Sequence, residues 1–217
     1  MLQRLLDHGI NNSYFKIKPI KDIEKSCCQV SITEVIDYDD TKRYMIDTLN
    51  QSSITFQDPK SCDALKIIPA SDRIDFIEFK GLDLFINNLS GTEVQVERQL
   101  TKQVNKFDFE TKIKDSLFIL DLITKIGSLE MTKKERDYFK EISKNYIIMV
   151  DVEIEKDPMK NMAFNLMYLS ETSNFKEKLI TYIQDTLTGI KERIEINKPI
   201  LLSNKRIDSY YKELQSV

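Results

Sequence analysis

Hydrophobic and polar positions alternate along Arg73 to Lys80, RIDFIEFK, and Gly81 closes the run. Its β-branched and aromatic content predicts a strand. With a period of two, Ile74, Phe76, Glu78 and Lys80 share one face, so a carboxylate and an ammonium emerge side by side at the strand's end. Asp63 to Ile68 is a second short apolar run, joined to the first by the turn formers Pro69-Ala70-Ser71-Asp72, a hairpin-length connection. Tyr146 to Glu155, YIIMVDVEIE, opens apolar and ends in alternation, the pattern of a central strand whose end reaches solvent. Ser53 to Phe56 is a β-prone run that supplies a first core strand ahead of the turn Asp58-Pro59-Lys60.

Helical periodicity is clearest over Phe107 to Ile126, where Ile113, Leu117, Leu120, Ile123 and Ile126 form an apolar stripe and Gly127 offers a C-terminal stop. Asp40 to Leu49, Glu93 to Lys106, Met159 to Leu169 and Asn174 to Ile194 also read as helices. Gln29 to Asp40 is ambiguous between strand and helix, Leu82 to Gly91 is a loop or a broken helical turn, and Met1 to Lys25 carries no legible chemistry. The tail from Asn197, with a short Ile-Leu-Leu run, is a docking arm or a last turn of helix. A long helix between the two firmest strands is the crossover that a parallel pair requires. The expected architecture is an α/β domain over residues 1–155, with a mixed central β-sheet flanked by helices, and a helical C-terminal extension over 156–217 packed on it.

The hairpin brings Asp63 near Glu78, giving two hard oxygen ligands suited to Mg²⁺ or Mn²⁺. Lys80 stands where it can meet a phosphate and polarise an attacking water. Glu78 follows Phe76 and Ile77 and precedes Phe79, so its carboxylate belongs to a run that reads as buried, and a buried charge needs a partner or a metal. The plainer alternative is a solvated Glu and Lys pair on an edge strand.

Asp63, a gap, then Glu78-Phe79-Lys80 resembles the active-site signature of the PD-(D/E)XK nuclease superfamily, the restriction-endonuclease-like fold. Cys62 stands where that signature often carries its proline, which is no ligand. The resemblance extends through the order strand, strand, long helix, strand, over about Ser53 to Glu155. It implies that Asp63 and Glu78 bind the metal with help from the backbone carbonyl of Phe79, and that Lys80 acts on the water. It also implies that Gln99, within Gln99-Leu100, or Lys112 contacts the water or the phosphate, and that Glu34 is an extra acid. For Lys112 an ordinary exposed pair with Asp115 is the alternative, and for Glu34 an exposed place in the acidic patch of Asp37, Asp39 and Asp40.

Composition narrows the class further. Among 217 residues, 41% are hydrophobic and 31% charged, which rules out wholesale disorder. The apolar runs are too short to span a bilayer, and the N-terminus has no secretory core. Three cysteines, two of them adjacent and none in a C-x-x-C pair, suit reduced thiols in the cytoplasm. His8 is the only histidine, so histidine-based zinc clusters and triads are excluded, and the scattered glycines build no phosphate loop. A net charge of −3 gives no global basic field. Locally, however, Arg98, Lys102, Lys106, Lys112 and Lys114 outnumber Asp108 and Glu110, either as one solvated face or as phosphate contacts.

The expected function is Mg²⁺- or Mn²⁺-dependent cleavage of nucleic acid, DNA in preference to RNA. A protein partner or a second copy of the chain is a further expectation, and a membrane is not. The competing expectation is a catalytically inactive nuclease-like interaction subunit in which Glu78 and Lys80 form only a salt bridge.

Overall fold

A computed structural model describes residues 1–51, 58–125, 129, 131–154 and 171–215. Among them six strands form one sheet in chain order: β1 (Ile17–Pro19), β2 (Glu34–Asp37), β3 (Ala64–Ile68), β4 (Arg73–Lys80), β5 (Ser143–Val150) and β6 (Ile200–Ser203). The first four run antiparallel, whereas β4, β5 and β6 are parallel, so the sheet is mixed. The expected connection between Ile68 and Arg73 is a single 3₁₀ turn at Pro69–Ser71 followed by Asp72 at φ 46°, a left-handed position that a short polar side chain tolerates. Ser53 to Phe56, expected as the first core strand, lies outside the described residues. The strand beside β3 is β2, which resolves the ambiguous stretch before Asp40 into a strand that passes directly into helix α2 (Tyr38–Gln51).

Strands β4 and β5 pair over their whole length, from Arg73 opposite Ser143 to Lys80 opposite Val150. A parallel pair needs a crossover. The chain makes it with α3 (Asp83–Asn87), α4 (Glu93–Phe107), α5 (Phe109–Lys125) and α6 (Lys133–Glu141). Helix α3 is the broken turn foreseen after Gly81, whereas α6 carries no strong apolar stripe and went unread. Asp108, at φ 51°, separates α4 from α5 and turns two collinear helical patterns into two helices.

The sheet is covered on both faces, which is why β4 and β5 are nearly continuous in apolar residues. Ile74, Phe76, Tyr146, Ile148 and Val150 join the core formed with α4, α5 and α7 (Glu171–Lys191). Ile77, Phe79, Ile147 and Met149 pack against Ile20, Ile23 and Cys28, and against Ile207 and Tyr211 of α8 (Ile207–Gln215). Burying a side chain as large as Phe76, which has no exposed surface, contributes about 3 kcal/mol. The tail therefore adds strand β6 to the sheet beside β5 and then closes its second face with α8.

On α5 the stripe that faces the sheet is Phe109, Ile113, Ser116, Leu120 and Ile123. Ser116 stands in the buried line, and Leu117 is only partly buried at its edge. The helix expected at Met159 to Leu169, the residues Ile126 and Gly127 at the end of α5, and Glu155 all lie outside the described residues. No helix among the described residues is long and apolar enough to cross a membrane.

Candidate active site

Strand register sets the site. Ala64 pairs with Ile77, so one step further along the antiparallel pair Asp63 stands opposite Glu78. The chain at Asp63 is held from several sides. Its backbone carbonyl accepts from the Tyr38 amide at 3.2 Å, its Oδ2 accepts from the Phe79 amide at 2.7 Å, and the preceding Cys62 amide donates to Ser116 Oγ at 2.8 Å. Asp63 is 1% exposed and Glu78 has no exposed surface. Oδ1 of Asp63 and Oε2 of Glu78 have no hydrogen-bond partner. An anionic oxygen in that position is costly unless something cationic completes it.

Two lysines answer that charge. Lys80 Nζ donates to Glu78 Oε1, and Lys112 Nζ on α5 donates to the same oxygen at 2.5 Å while lying 3.9 Å from Asp63 Oδ1. The Lys80 ammonium also sits 5.3 Å from the ring centroid of Phe107 and 6.0 Å from that of Phe109, favourable places for a cation. Burial pushes Glu78 up to about 7, the Asp63 charge adds to the rise, and Lys80 and Lys112 hold it back. Burial works against the charged form of Lys112, but Glu78 and Asp63 outweigh it and raise the lysine above its ordinary value. The two carboxylates thus favour the charged form of Lys112, while burial favours the neutral form of Glu78.

The segment in which no chemistry was legible also contributes. Lys25 Nζ reaches within 3.7 Å of Asp63 Oδ1 and donates to Asp39 Oδ2 at 2.7 Å, and Asp39 accepts from Ser61 Oγ as well. No sequence spacing relates Lys25 to Asp63, because the loop before β2 brings them together. Ser116 was missed for a similar reason. A serine inside an apolar helical stripe is the signal that could have found it, since its hydroxyl accepts from Cys62 while its carbonyl accepts from Tyr38 Oη at 2.8 Å.

Asp63, Glu78, Lys80 and Lys112 are therefore brought together. Gln99 is not. Its amide donates to the Ser90 carbonyl at 3.0 Å, in the loop before α4, and it makes no bond to those four. Phe79 contributes its amide to Asp63, while its side chain is buried on the opposite face of the sheet. Glu34 is exposed at the start of β2, opposite Pro19, and the acid of that segment that adjoins the site is Asp39.

Among the described residues no group of three or more His, Cys, Asp and Glu side chains converges as a metal-ligand set. Two carboxylates, each with an oxygen that accepts no hydrogen bond, match the manner in which Mg²⁺ or Mn²⁺ is held when water and a substrate phosphate fill the remaining positions. Comparison with family models, curated proteins and solved structures found no match to this chain.

Proposed function

We propose that the chain is a metal-dependent nuclease of the PD-(D/E)XK kind, hydrolysing phosphodiester bonds at Asp63, Glu78, Lys80 and Lys112. The observation that carries this reading is the pair of buried carboxylates facing each other, each with an oxygen that accepts no hydrogen bond, with two ammonium groups bonded to Glu78 and Lys25 and Lys112 at ion-pair distance from Asp63. The order of strand, strand, crossover helices and strand supports it.

In this reading Asp63 and Glu78 would hold one Mg²⁺ or Mn²⁺, which would supply Lewis-acid charge and lower the pKa of water. Glu78, at about 7, gives up its proton for the ion near neutral pH. Lys80, steadied by Glu78 and by the rings of Phe107 and Phe109, would orient the attacking water and offset charge on the phosphate as the new P–O bond forms and the leaving P–O bond breaks, the water's proton passing to solvent and the leaving oxygen taking one from solvent. Lys112, with Lys80, holds the Glu78 carboxyl below the value that burial alone would give it.

The competing reading is an interaction module without catalysis. The observation in its favour is that Glu78 Oε1 is already shared by both lysines, an ion cluster that needs nothing more. Incubation of supercoiled plasmid and of labelled single-stranded DNA and RNA with Mn²⁺ or Mg²⁺ separates the two. Metal-dependent products that vanish in Lys80→Ala and Glu78→Ala support the nuclease. No products from the native chain, with a partner bound equally well by both variants, favours the module.

A further inference from the structure

The outward face of α4 presents Arg98, Lys102 and Lys106, one turn apart and each exposed, so three cations stand about 6 Å from one another along the helix. No ion pair or hydrogen bond engages these three among the described residues, although most of the lysines around the candidate site are paired. They line a groove of about 700 Å³ together with Val94, Glu97 and Tyr182 of α7. The acid among these, Glu97, lies 3.5 Å from Lys178, which also binds Glu93 at 2.9 Å, so its charge is answered away from the row. Val94 is 60% exposed, and Tyr182 is only partly buried at the edge of the core.

The helix that carries the row also touches the candidate site. Lys106 precedes Phe107, the last residue of α4, and the Phe107 ring lies against the Lys80 ammonium. A chain with net charge −3 thus concentrates three unpaired cations along one exposed helix face.

We propose that this groove binds a single strand of nucleic acid, with its phosphates on Arg98, Lys102 and Lys106 and a base against Tyr182 and Val94. A row of unpaired cations beside a partly exposed aromatic and an apolar side chain is the chemistry that holds a strand whose bases are free to stack. A duplex offers its phosphates but hides the faces of its bases, so Tyr182 has nothing to stack on. The strand's path toward Lys80 rests on the nuclease reading, whereas its binding to the groove does not.

Fluorescence anisotropy with a labelled single strand of about 16 nucleotides, in EDTA so that no cleavage occurs, tests the proposal. The full-length protein is expected to bind the strand more tightly than a duplex of equal length, with log affinity falling against log salt at a slope of about −2 for three phosphate contacts. Arg98→Glu with Lys102→Glu should weaken binding at least tenfold and flatten that slope. Tyr182→Leu should weaken it about tenfold, and Tyr182→Phe should leave it near the native value. Lys133→Glu with Lys134→Glu, on α6, should change nothing. Equal affinity in the native and α4 variants, or tighter binding of duplex than of single strand with no effect of Tyr182→Leu, would overturn the proposal. Strand binding lost in the α4 variants of a protein that cleaves nothing leaves the groove standing and removes the nuclease. Cleavage and binding both unaffected by those variants does the reverse.

Discussion

Lys112 of α5 places its ammonium 2.5 Å from Oε1 of Glu78 on β4, 34 residues earlier in the chain, and so ties the crossover helix to the carboxylate that most needs a counter-charge. Lys112→Met should remove one of the two cations that restrain the Glu78 pKa, which then rises above about 7. The pH at half-maximal cleavage is expected to move up by about one unit, and the maximal rate to fall about 100-fold. A pH–rate profile of the variant in Mn²⁺ checks both, and an unchanged midpoint would detach Lys112 from Glu78.

Glu78 also makes stability depend on pH in a defined direction. Its pKa is raised from 4.5 to about 7, so between those values the folded chain binds the proton more tightly than the unfolded chain. Its contribution to stability therefore falls as pH rises through that window, by about 3 kcal/mol in all, and recovers as pH is lowered. Denaturant unfolding without metal should show this decline in the native protein and a flatter profile in Glu78→Gln. Parallel profiles would mean that Glu78 ionises as an ordinary carboxylate.

If the nuclease reading holds, Mn²⁺ should stabilise the protein, because the oxygens of Asp63 and Glu78 that would hold the ion are brought together only in the folded state. At a concentration 100 times the dissociation constant the gain is about 2.7 kcal/mol, and it should be larger at pH 8 than at pH 5.5, where a proton on Glu78 competes. Thermal unfolding with and without Mn²⁺ reads this directly, and Asp63→Asn should abolish the shift.

Ser116 carries a prediction that concerns only folding. Its hydroxyl is the acceptor for the buried Cys62 amide next to Asp63. Ser116→Ala should leave that N–H unpaired and cost about 1–3 kcal/mol, seen as a lower denaturant midpoint with an unchanged slope. A neutral result would show that the amide finds another acceptor.

Much of this arrangement can be read along the chain, since alternation over Arg73 to Lys80 gives β4, the face it shares with Phe76 and the pairing of Glu78 with Lys80. The turn formers at Pro69 to Asp72 give the hairpin that carries Asp63 across to Glu78. Lys112 was legible as a cation on the long helix, but its reach to Glu78 depends on how α5 lies against the sheet. Lys25 and Ser116 were not legible as parts of the site. Their roles come from contacts between segments far apart in sequence, which periodicity does not encode. Strand β6, four residues long, falls in a tail that reads as either a docking arm or a last turn of helix, because so short an apolar run carries no period of its own. Gln99 was singled out on resemblance alone, and its amide instead bonds the Ser90 carbonyl in the loop before its own helix.

The measurement that bears most directly on the central claim is single-turnover cleavage of one end-labelled oligonucleotide in Mn²⁺ at pH 8 by the native protein, Glu78→Gln and Lys80→Ala, purified identically. The account predicts strand scission by the native chain that stops on chelation with EDTA and falls at least 100-fold in each variant. Equal rates in all three proteins, or an intact oligonucleotide with a native protein that Mn²⁺ demonstrably stabilises, would contradict it.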